Sequence, residues 1–416
     1  MHSTNSPQKT TPHIVVVGGG FAGIETIKTL RKSGVNARIT LLSKTDTFQY
    51  YPALYKLVTG ALPIEVAVPL RVIFPDNNIE HIVGTYTAID QVRQVISYEY
   101  DTGIKEIAYD YAVLAFGSET NYFNIPGLTE LSFSFKSVKE ALRLKHHFCE
   151  LFANVATLTK EELVKRLHVV VVGGGPSGVE LAGDLRSFLT NLADSVKIDP
   201  NLITIDLIEG GSRVLPSLPE HVSKKAERRL RMMGVNIFTN RVLQSQDIEA
   251  ITTADMSMDS QTVIWTAGTR ISTSFDTIPN TTLTDRKRIV VSPELTLPTD
   301  NHVFIAGDGA GTTFSGLAQT AIHHGSYIGT TIAAMIASKK VIPYTPKRPS
   351  FLIPIGNYWA LLNYGNVVMT GFFPWLLRSA VDFRYFTSIV PLPYVFKVFN
   401  QGRKYRKVKG GCNLPE

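Results

Sequence analysis

The chain has 416 residues, of which 44% are hydrophobic and 19% charged, and its net charge is +7. This balance excludes a disordered chain and favours two or three globular domains. The cysteines, Cys149 and Cys412, are too few for a disulfide framework and form no C-x-x-C pair, which also argues against a zinc knuckle. We therefore expect a reducing, cytosolic compartment and no metal site.

The ends of the chain bear on where it resides. The first strand-like run begins at His13, after a polar stretch without a hydrophobic core or an Arg-rich presequence, so we expect no leader peptide. No run of about 18 or more apolar residues occurs, so we expect no spanning helix, while peripheral membrane binding stays open. Basic residues are concentrated in a basic tail without acidic residues: Lys397, Arg403, Lys404, Arg406, Lys407 and Lys409. Its simplest interpretation is a solvated chain end, and we expect no nucleic-acid partner.

A repeated segment organises the chain. IVVVGGGFAGIE at 14–25 reappears as VVVVGGGPSGVE at 169–180, each time as an apolar run, a glycine turn and a helical pattern. A second apolar strand follows each copy, at 37–42 and 203–208, so the pattern predicts two βαβ units.

Later elements complete the predicted fold. YAVLAFGS and TVIWTAG close the two units, a hairpin turns at 101–103, VFIAGDGAG spans 303–311, and a helix covers 317–337. The predicted fold class is α/β, with two Rossmann-like FAD/NAD(P)-binding domains, the second inserted in the first, and a C-terminal α/β appendage. The predicted ranges are 1–130 and 291–342 for the first domain, 131–290 for the second, and 343–416 for the appendage.

Both glycine turns have the G-x-G-x-x-G spacing, at Gly18, Gly20 and Gly23 and at Gly173, Gly175 and Gly178. The first glycine makes a tight turn, the second admits a pyrophosphate and the third lets helix and strand approach. One match could be purely structural, but two in the same setting predict two bound dinucleotides.

An acid at the end of the second strand would bind ribose hydroxyls. Glu209 holds that position in the second unit, 31 residues after Gly178, and predicts NADH over NADPH, although it could merely end an exposed strand. In the first unit the position is Ser43, whose hydroxyl, with Lys44, could still meet ribose and phosphate.

Together these motifs resemble the two-dinucleotide-binding-domain flavoproteins, most closely the type II NADH dehydrogenases. The resemblance covers about residues 13 to 340 and includes FQYYPALYKLVTG, VVVGGGPSGVELAGDL and LAQTAIHHG. It implies an FAD site formed by Gly18, Gly20, Phe21, Ala22, Gly23, Ser43, Lys44, Tyr86, Ala115, Phe116, Gly117, Asp308, Leu317 and Ala318. It implies an NADH site formed by Gly173, Gly175, Pro176, Ser177, Gly178, Glu209, Ala267 and Gly268.

The resemblance also implies catalytic residues. Glu180 would lie near nicotinamide and flavin, where it could orient the ring or relay a proton, although the helix dipole alone favours an acid there. Gln319 matches the first glutamine of the family's A-Q-x-A-x-Q pattern, but the second position is His323. An imidazole could replace the lost hydrogen bond or supply protons to a reduced quinone.

The acceptor follows by elimination. Disulfide and sulfide:quinone reductases need redox cysteines near the flavin, and neither cysteine occupies such a position. We therefore predict a peripheral NADH:quinone oxidoreductase that does not pump protons, on the cytoplasmic face of the cell membrane. Alternatives are a soluble NAD(P)H-dependent ferredoxin reductase, an apoptosis-inducing-factor-like quinone reductase, or a flavoprotein that mainly binds partners.

A membrane anchor is predicted near the C-terminus. Apolar residues recur at helical spacing: Phe372, Trp375, Leu376, Ala380, Phe383, Phe386 and Val390. Arg378, Asp382 and Arg384 fall elsewhere on the helix, so with the basic tail the segment resembles an in-plane amphipathic helix attracted to anionic lipid. An ordinary core or homodimer helix is the alternative.

Overall fold

The computed structural model describes residues 11–75, 79–408 and 412. They belong to two compact units, unit 1 (Met1–Phe48, Pro69–Glu119 and Arg270–Pro349) and unit 2 (Gln49–Val68, Thr120–Thr269 and Ser350–Glu416). These units do not follow the predicted domain ranges, because 49–68 and the whole C-terminal segment group with the second glycine turn. The predicted domains themselves stay a prediction.

The described residues form the following strands and helices, numbered in chain order. The strands are β1 (His13–Val17), β2 (Arg38–Ser43), β3 (Thr47–Gln49), β4 (Ala67–Pro69), β5 (Ile79–Val83), β6 (Thr85–Asp90), β7 (Val95–Tyr100), β8 (Gly103–Ala108), β9 (Tyr111–Leu114), β10 (Ser118–Thr120), β11 (His168–Val172), β12 (Thr204–Ile208), β13 (Val235–Phe238), β14 (Leu243–Gln246), β15 (Ala250–Thr253), β16 (Ser257–Asp259), β17 (Thr262–Trp265), β18 (Thr269–Ile271), β19 (Thr296–Leu297), β20 (Asp300–Ile305), β21 (Phe351–Pro354), β22 (Ala360–Tyr364) and β23 (Val367–Gly371). The helices are α1 (Phe21–Ser33), α2 (Leu54–Val58), α3 (Leu70–Ile73), α4 (Leu128–Leu131), α5 (Val138–Leu151), α6 (Lys160–Arg166), α7 (Pro176–Ser195), α8 (Glu220–Met232), α9 (Ala318–Ile336), α10 (Phe372–Ile389) and α11 (Leu392–Val408).

The main sheet of unit 1 has the order β19-β20-β9-β1-β2-β5, with β19 antiparallel and the other neighbours parallel. β1 is a continuous β-branched run, as a strand covered on both faces requires, and Ile14, Val15 and Val16 are fully buried. The chain leaves β1 toward β2 on one side and later returns to β9 on the other. The first glycine turn therefore follows the strand at which the order reverses, where α/β sheets bind ligands.

Unit 2 repeats this arrangement in a parallel sheet of order β13-β12-β11-β17. Here β11 is the strand at the reversal, and the second glycine turn follows it. Both predicted βαβ units are thus confirmed. The predicted hairpin is confirmed as well, because β7 and β8 pair in antiparallel register and Asp101 takes a left-handed backbone conformation at the turn.

Within unit 1, helix α9 packs closely against helix α1. A Cβ atom at Gly325 would collide with the Ala22 carbonyl of α1, and one at Gly329 would lie 2.8 Å from the Thr26 carbonyl. The two backbones therefore touch without intervening side chains, which only glycine permits. This contact fixes the N-terminal half of α9 beside the start of α1.

The C-terminal segment forms the antiparallel sheet β21-β22-β23 followed by α10 and α11. On α10, Phe372 and Leu376 are 58% and 50% exposed, whereas Phe386 is buried, as is Val390 directly after the helix. Of the three charged residues predicted to lie away from the apolar ones, Arg384 is exposed, whereas Arg378 and Asp382 contact buried groups of unit 2. Among the described residues no helix is both long and apolar enough to cross a bilayer.

The two cysteines are joined. Cys149 on α5 forms a disulfide with Cys412, which lies 263 positions later in the sequence, and the two Cα atoms are 5.6 Å apart. The sequence excluded a framework of several disulfides, but it did not indicate this single bond, because local spacing carries no information about such a distant pair. Both belong to unit 2, and neither lies in unit 1, which contains the first glycine turn.

Candidate functional site

The first glycine turn is shaped for an anion. A Cβ atom at Gly18, which has φ of 112°, would collide with the Ala115 carbonyl, and one at Gly23 would collide with the Gly18 carbonyl. A Cβ atom at Gly20 would meet nothing within 4 Å. The backbone thus leaves no room for a side chain at Gly18 and Gly23, whereas the space beside Gly20 is free. Helix α1 begins directly after Gly20, at Phe21, and its second residue, Ala22, is buried. Such a helix start, with free amides and open space, fits a pyrophosphate.

Asp308 lies in a short turn held from several sides. Its carboxylate accepts a hydrogen bond from the Ser118 hydroxyl, and its backbone carbonyl accepts one from the Arg288 guanidinium. Gly307, at φ of 68°, has the Cβ atoms of Ala22 and Ala321 as near neighbours. The turn is therefore fixed between α1 and α9, with the Asp308 side chain partly exposed.

The end of β2 lacks a carboxylate, as the sequence indicates. The Ser43 hydroxyl donates to the Thr45 carbonyl at 2.5 Å and lies 3.1 Å from Nε2 of His81 on the neighbouring strand β5. Lys44 is exposed. Burial lowers the pKa of His81, so a neutral serine and imidazole pair stands where an acid was sought. His81 was not predicted, because its side-chain contact with Ser43 depends on the pairing of β2 with β5.

The strand that closes unit 1 continues into Ala115, Phe116 and Gly117. Ala115 backs the Gly18 turn, and the Phe116 ring packs 4.5 Å from the ring of Tyr86. Tyr86 is only 7% exposed, and its hydroxyl accepts a hydrogen bond from Thr277. It therefore has a packing role in this core, and its predicted contact with adenine stays a prediction.

The N-terminus of α9 carries the predicted flavin and quinone residues. Leu317 and Ala318 start the helix and are partly exposed, and Gln319 is exposed. One turn later, His323 Nδ1 lies 3.1 Å from the Tyr344 hydroxyl. Burial and the nearby Lys347 lower the pKa of His323, so its imidazole is neutral near pH 7. Tyr344 was not foreseen, because it follows α9 in a segment without a motif.

The second glycine turn repeats the geometry in unit 2. Gly173 has φ of 114°, and a Cβ atom there would lie 2.7 Å from the Ala267 backbone. A Cβ atom at Gly178 would collide with the Gly173 carbonyl, whereas Gly175 has nothing within 4 Å. Pro176 occupies the first turn of α7, where its missing amide hydrogen costs nothing because amides there have no acceptor within the helix. Ser177 beside it is exposed. This turn also fits a pyrophosphate.

Glu209 reaches the turn directly. One carboxylate oxygen accepts the Gly174 amide at 2.7 Å, and the other accepts the Gly211 amide at 2.6 Å. Each oxygen keeps a further lone pair for a ligand hydroxyl. Two backbone donors thus orient the carboxylate where a ribose would lie, which a merely exposed strand end would not require.

Ala267 and Gly268 follow β17 beside this turn. A Cβ atom at Gly268 would collide with the Asn121 carbonyl, and the Asn121 amide donates to the Gly268 carbonyl at 3.0 Å. The structure therefore brings together Gly173, Gly178, Glu209, Ala267 and Gly268.

A cluster of ionisable groups lies around α7 in unit 2, and we call it the α7 charge cluster: Tyr50, Lys56, Glu180, Asp184, Arg378 and Asp382. Asp382 on α10 is its centre, since its carboxylate accepts from the Tyr50 hydroxyl at 2.7 Å and from Lys56 Nζ at 3.0 Å. Arg378 Nε lies 3.1 Å from the same carboxylate.

The cluster shifts the pKa values of its acids in opposite directions. Burial raises the pKa of Glu180 to about 8, against the attraction of Arg378. Burial raises the pKa of Asp184 to about 6, against Lys56. Burial acts in the same sense on Asp382, but Lys56 and Arg378 outweigh it and lower its pKa. Glu180 is therefore mostly protonated at pH 7 while Asp382 is ionised, an arrangement typical of functional sites.

Glu180 was predicted as a site residue, but Arg378 and Asp382 were predicted only as part of the anchor helix, and Lys56 was not singled out at all. Lys56 belongs to the FQYYPALYKLVTG segment, so the family motif was a signal that this stretch matters. Arg378 donates to the Pro52 carbonyl at 2.7 Å and to the Leu352 carbonyl at 3.1 Å. The first of these contacts joins positions 326 apart, which no local pattern indicates.

Comparison with known proteins agrees with this geometry. The family described as pyridine nucleotide-disulphide oxidoreductase matches residues 12–325. The chain is 27% identical over 389 residues to the type II NADH:quinone oxidoreductase Ndh of Mycobacterium tuberculosis, covering 89% of this chain and 84% of that one. It is 25% identical over 415 residues to the type II NADH:quinone oxidoreductase of Staphylococcus haemolyticus, covering 95% and 98%.

A solved structure shares the fold. NDH2 from Plasmodium falciparum in complex with NADH superposes with a TM-score of 0.86 at 18% identity, covering 96% of this chain and 99% of that chain. The predicted resemblance and the two-domain α/β fold class are confirmed by these matches. The chain belongs to the pyridine nucleotide-disulphide oxidoreductase family, and its relatives include type II NADH:quinone oxidoreductases.

Proposed function

We propose that this protein is a type II NADH dehydrogenase, an FAD-dependent enzyme that passes a hydride from NADH to flavin and two electrons on to a quinone, without proton pumping. The observation that carries the proposal is the presence of two glycine cradles in one chain, only one of which has a preset ribose-binding carboxylate. Relatives that are named for this reaction, and whose length is mostly covered by the match to this chain, support the proposal.

Unit 1 binds FAD in this proposal. The open Gly20 position and the start of α1 receive the pyrophosphate, and Asp308 meets the ribityl or pyrophosphate region. Leu317 and Ala318 support the flavin ring at the start of α9. Ser43 and Lys44 lie at the adenosine end, where a neutral site replaces the acid.

Unit 2 binds NADH through its own glycine turn. The amides at the start of α7 meet the pyrophosphate, and Glu209 accepts the ribose hydroxyls and repels a 2′-phosphate. Ala267 and Gly268 line the approach of the nicotinamide.

FAD, when bound, supplies the chemistry by accepting a hydride and giving up two electrons. The chain positions the reactants and excludes water around them. Glu180 holds a proton at pH 7 on a carboxyl group whose pKa is about 8, so it can donate a hydrogen bond or a proton there. Gln319 and the neutral His323, aligned by Tyr344, are the residues proposed to meet the quinone.

The quinone is reached at a membrane surface. The outer face of α10 presents Phe372, Phe373 and Leu376, each at least 50% exposed, while Arg378 and Asp382 contact buried groups and Arg384 is exposed. On α11, Leu392 and Phe396 are also at least 50% exposed. Exposed aromatic and aliphatic side chains near a basic residue suit insertion into the headgroup and acyl boundary. Binding at the cytoplasmic face is part of the proposal; the side chains of 403–408 and residue Lys409 lie outside the described residues.

The acceptor profile of the FAD-loaded protein tests the function. We expect NADH oxidation with a short-chain quinone to exceed that with ferredoxin. Ferricyanide serves as a control for flavin reduction, since it accepts electrons without a quinone site. Normal ferricyanide activity with no quinone activity would contradict the proposal and favour a ferredoxin reductase.

Vesicle flotation tests the membrane surface. The double variant Phe373→Glu and Leu376→Glu should lose binding to vesicles that contain anionic phospholipid, while FAD content and ferricyanide activity stay normal. Val92→Glu is the matched control, since Val92 is 95% exposed in unit 1. Unchanged flotation of the double variant would remove α10 from the membrane surface.

A further inference from the structure

His324 is a buried titratable residue to which the proposed reaction gives no role. It follows His323 on α9 but has no exposed surface, whereas His323 is only partly buried. An imidazole in such a place requires partners for both ring nitrogens. Its partners are in the loop that carries Asp308.

The two hydrogen bonds of His324 determine its tautomer. The Gly307 amide lies 3.1 Å from Nδ1 and can only donate, so Nδ1 carries no proton. Nε2 then carries the proton and donates to the Thr312 hydroxyl at 3.2 Å. Thr312 in turn shares a hydrogen bond of 2.7 Å with Ser315. The ring thus links the residues before and after Asp308 through one acceptor and one donor.

The surroundings keep this imidazole neutral. Burial lowers its pKa to about 4, and repulsion from the Arg288 guanidinium, and from His323 once that ring is protonated, acts in the same direction. The Tyr344 ring lies edge-on at 5.0 Å. On α1, which packs against α9, the charged groups Glu25 and Lys28 pair with each other at 2.8 Å.

The Asp308 turn is consequently held at three points: the carboxylate by Ser118, the carbonyl by Arg288, and the preceding amide by His324. An imidazolium could not accept the Gly307 amide, and an apolar side chain would leave that amide without its acceptor. Only His324 among the three connects the turn to α9, the helix that begins at the proposed flavin position.

We propose that His324 is a positioning residue for FAD, whose neutral ring holds the Gly307–Asp308 turn against α9 so that the Asp308 carboxylate is preset for the cofactor. The inference rests on the proposed role of Asp308 in binding FAD. It concerns a residue outside the A-Q-x-A-x-Q positions.

The test compares His324→Phe with His324→Gln by titrating FAD into apoprotein and following flavin fluorescence. We expect His324→Phe to weaken FAD binding about tenfold, because it removes the acceptor of a buried amide. His324→Gln should stay within about threefold of the unmodified protein, since its amide both accepts and donates. Equal losses in the two variants would overturn the inference, because they would indicate packing alone.

The pH dependence of FAD affinity gives a second readout. In the unmodified protein affinity should fall more steeply between pH 6 and 4 than in His324→Gln, because only the imidazole gains a proton that breaks the Gly307 bond. If His324→Phe does not fold, this comparison decides, and identical profiles would overturn the inference. His221→Gln, at an exposed position of α8, is the matched control and should behave as the unmodified protein.

The variant Asp308→Asn distinguishes the proposed FAD-binding role of Asp308 from the positioning role of His324. If this variant binds FAD normally, the FAD role of Asp308 is wrong and the inference falls with it. If it loses affinity while His324→Phe does not, the FAD site stands and only the role of His324 is wrong.

Discussion

At the scale of single residues, the carboxylate of Glu209 is oriented by two backbone amides within its own unit. A ribose that binds there meets an acceptor already in place, so little ordering is needed on binding. The sequence could place an acid at this strand end but could not show that the Gly174 and Gly211 amides hold it.

Replacing Glu209 by alanine should reduce the preference for NADH over NADPH by ~10–100-fold, because hydrogen bonds to a charged acceptor are lost and its repulsion of a 2′-phosphate disappears. The ratio of kcat/KM values for the two cofactors measures this. Glu130→Gln, at an exposed position of the same unit, is the control and should leave the ratio unchanged. A ratio that does not move in Glu209→Ala would contradict the ribose role.

Glu180 should make both catalysis and stability depend on pH near 8. Its folded pKa of about 8 lies above the usual 4.5, so its stabilising contribution is complete below 4.5 and is lost as the pH rises through 8. Glu180→Gln mimics the protonated form and should remove both effects. We expect the melting temperature of the unmodified protein to fall relative to that of Glu180→Gln between pH 5 and 9. The rate of single-turnover flavin reduction should show an inflection near pH 8 in the unmodified protein and none in Glu180→Gln. Parallel melting curves over this range would show that Glu180 is ionised in the folded protein.

At the scale of elements, α10 has Arg378 and Asp382 turned toward the protein and much of its apolar surface exposed. Helical periodicity alone located the apolar residues, but it could not show which face meets the protein. The reason is that Tyr50 and Lys56 supply buried partners for Asp382, and these partners come from a distant segment. At a membrane surface, the apolar side chains of such a helix can face the lipid instead of the protein core.

Removing the centre of the α7 charge cluster should destabilise unit 2. Asp382→Ala leaves Arg378 and Lys56 without their shared carboxylate, and we expect the free energy of unfolding in urea to fall by about 3 kcal/mol. Because the pKa of Asp382 is lowered below its usual 3.8, this contribution is present above pH 3.8 and is lost as the pH falls further. The control Glu106→Ala breaks an exposed pair with Arg93 that solvent screens, so its effect should be much smaller. Equal small losses in both variants would show that the buried pairing adds nothing.

At the scale of the whole molecule, the disulfide between Cys149 and Cys412 joins two segments of unit 2 that are 263 positions apart and so closes a very long loop of the chain. Cross-linking distant positions restricts the unfolded chain and typically contributes about 2–4 kcal/mol. Disulfides are rare in reducing compartments, so the oxidation state of this pair in protein isolated under thiol-blocking conditions also tests the predicted cytosolic location.

Reduction of this bond should lower the melting temperature by about 5–10 °C. Dithiothreitol supplies the two electrons and two protons that convert the disulfide into two thiols, leaving the oxidised reagent. The double variant Cys149→Ser and Cys412→Ser should melt at the reduced value and be insensitive to dithiothreitol. If oxidised and reduced protein melt together, the bond does not constrain the unfolded chain.

The sequence by itself determined the features that depend on local pattern. The two glycine turns, the βαβ units, the hairpin at Asp101 and the acid at Glu209 follow from residue type and spacing, because a tight turn or a buried strand restricts which residues can occupy it. The tertiary structure decided what depends on distant partners. The protonated state of Glu180, the buried pairing of Asp382 on α10, the Cys149–Cys412 bond and the His324 contact to Gly307 arise only where the fold brings separate segments into contact, since burial and pairing set pKa values and hydrogen bonds.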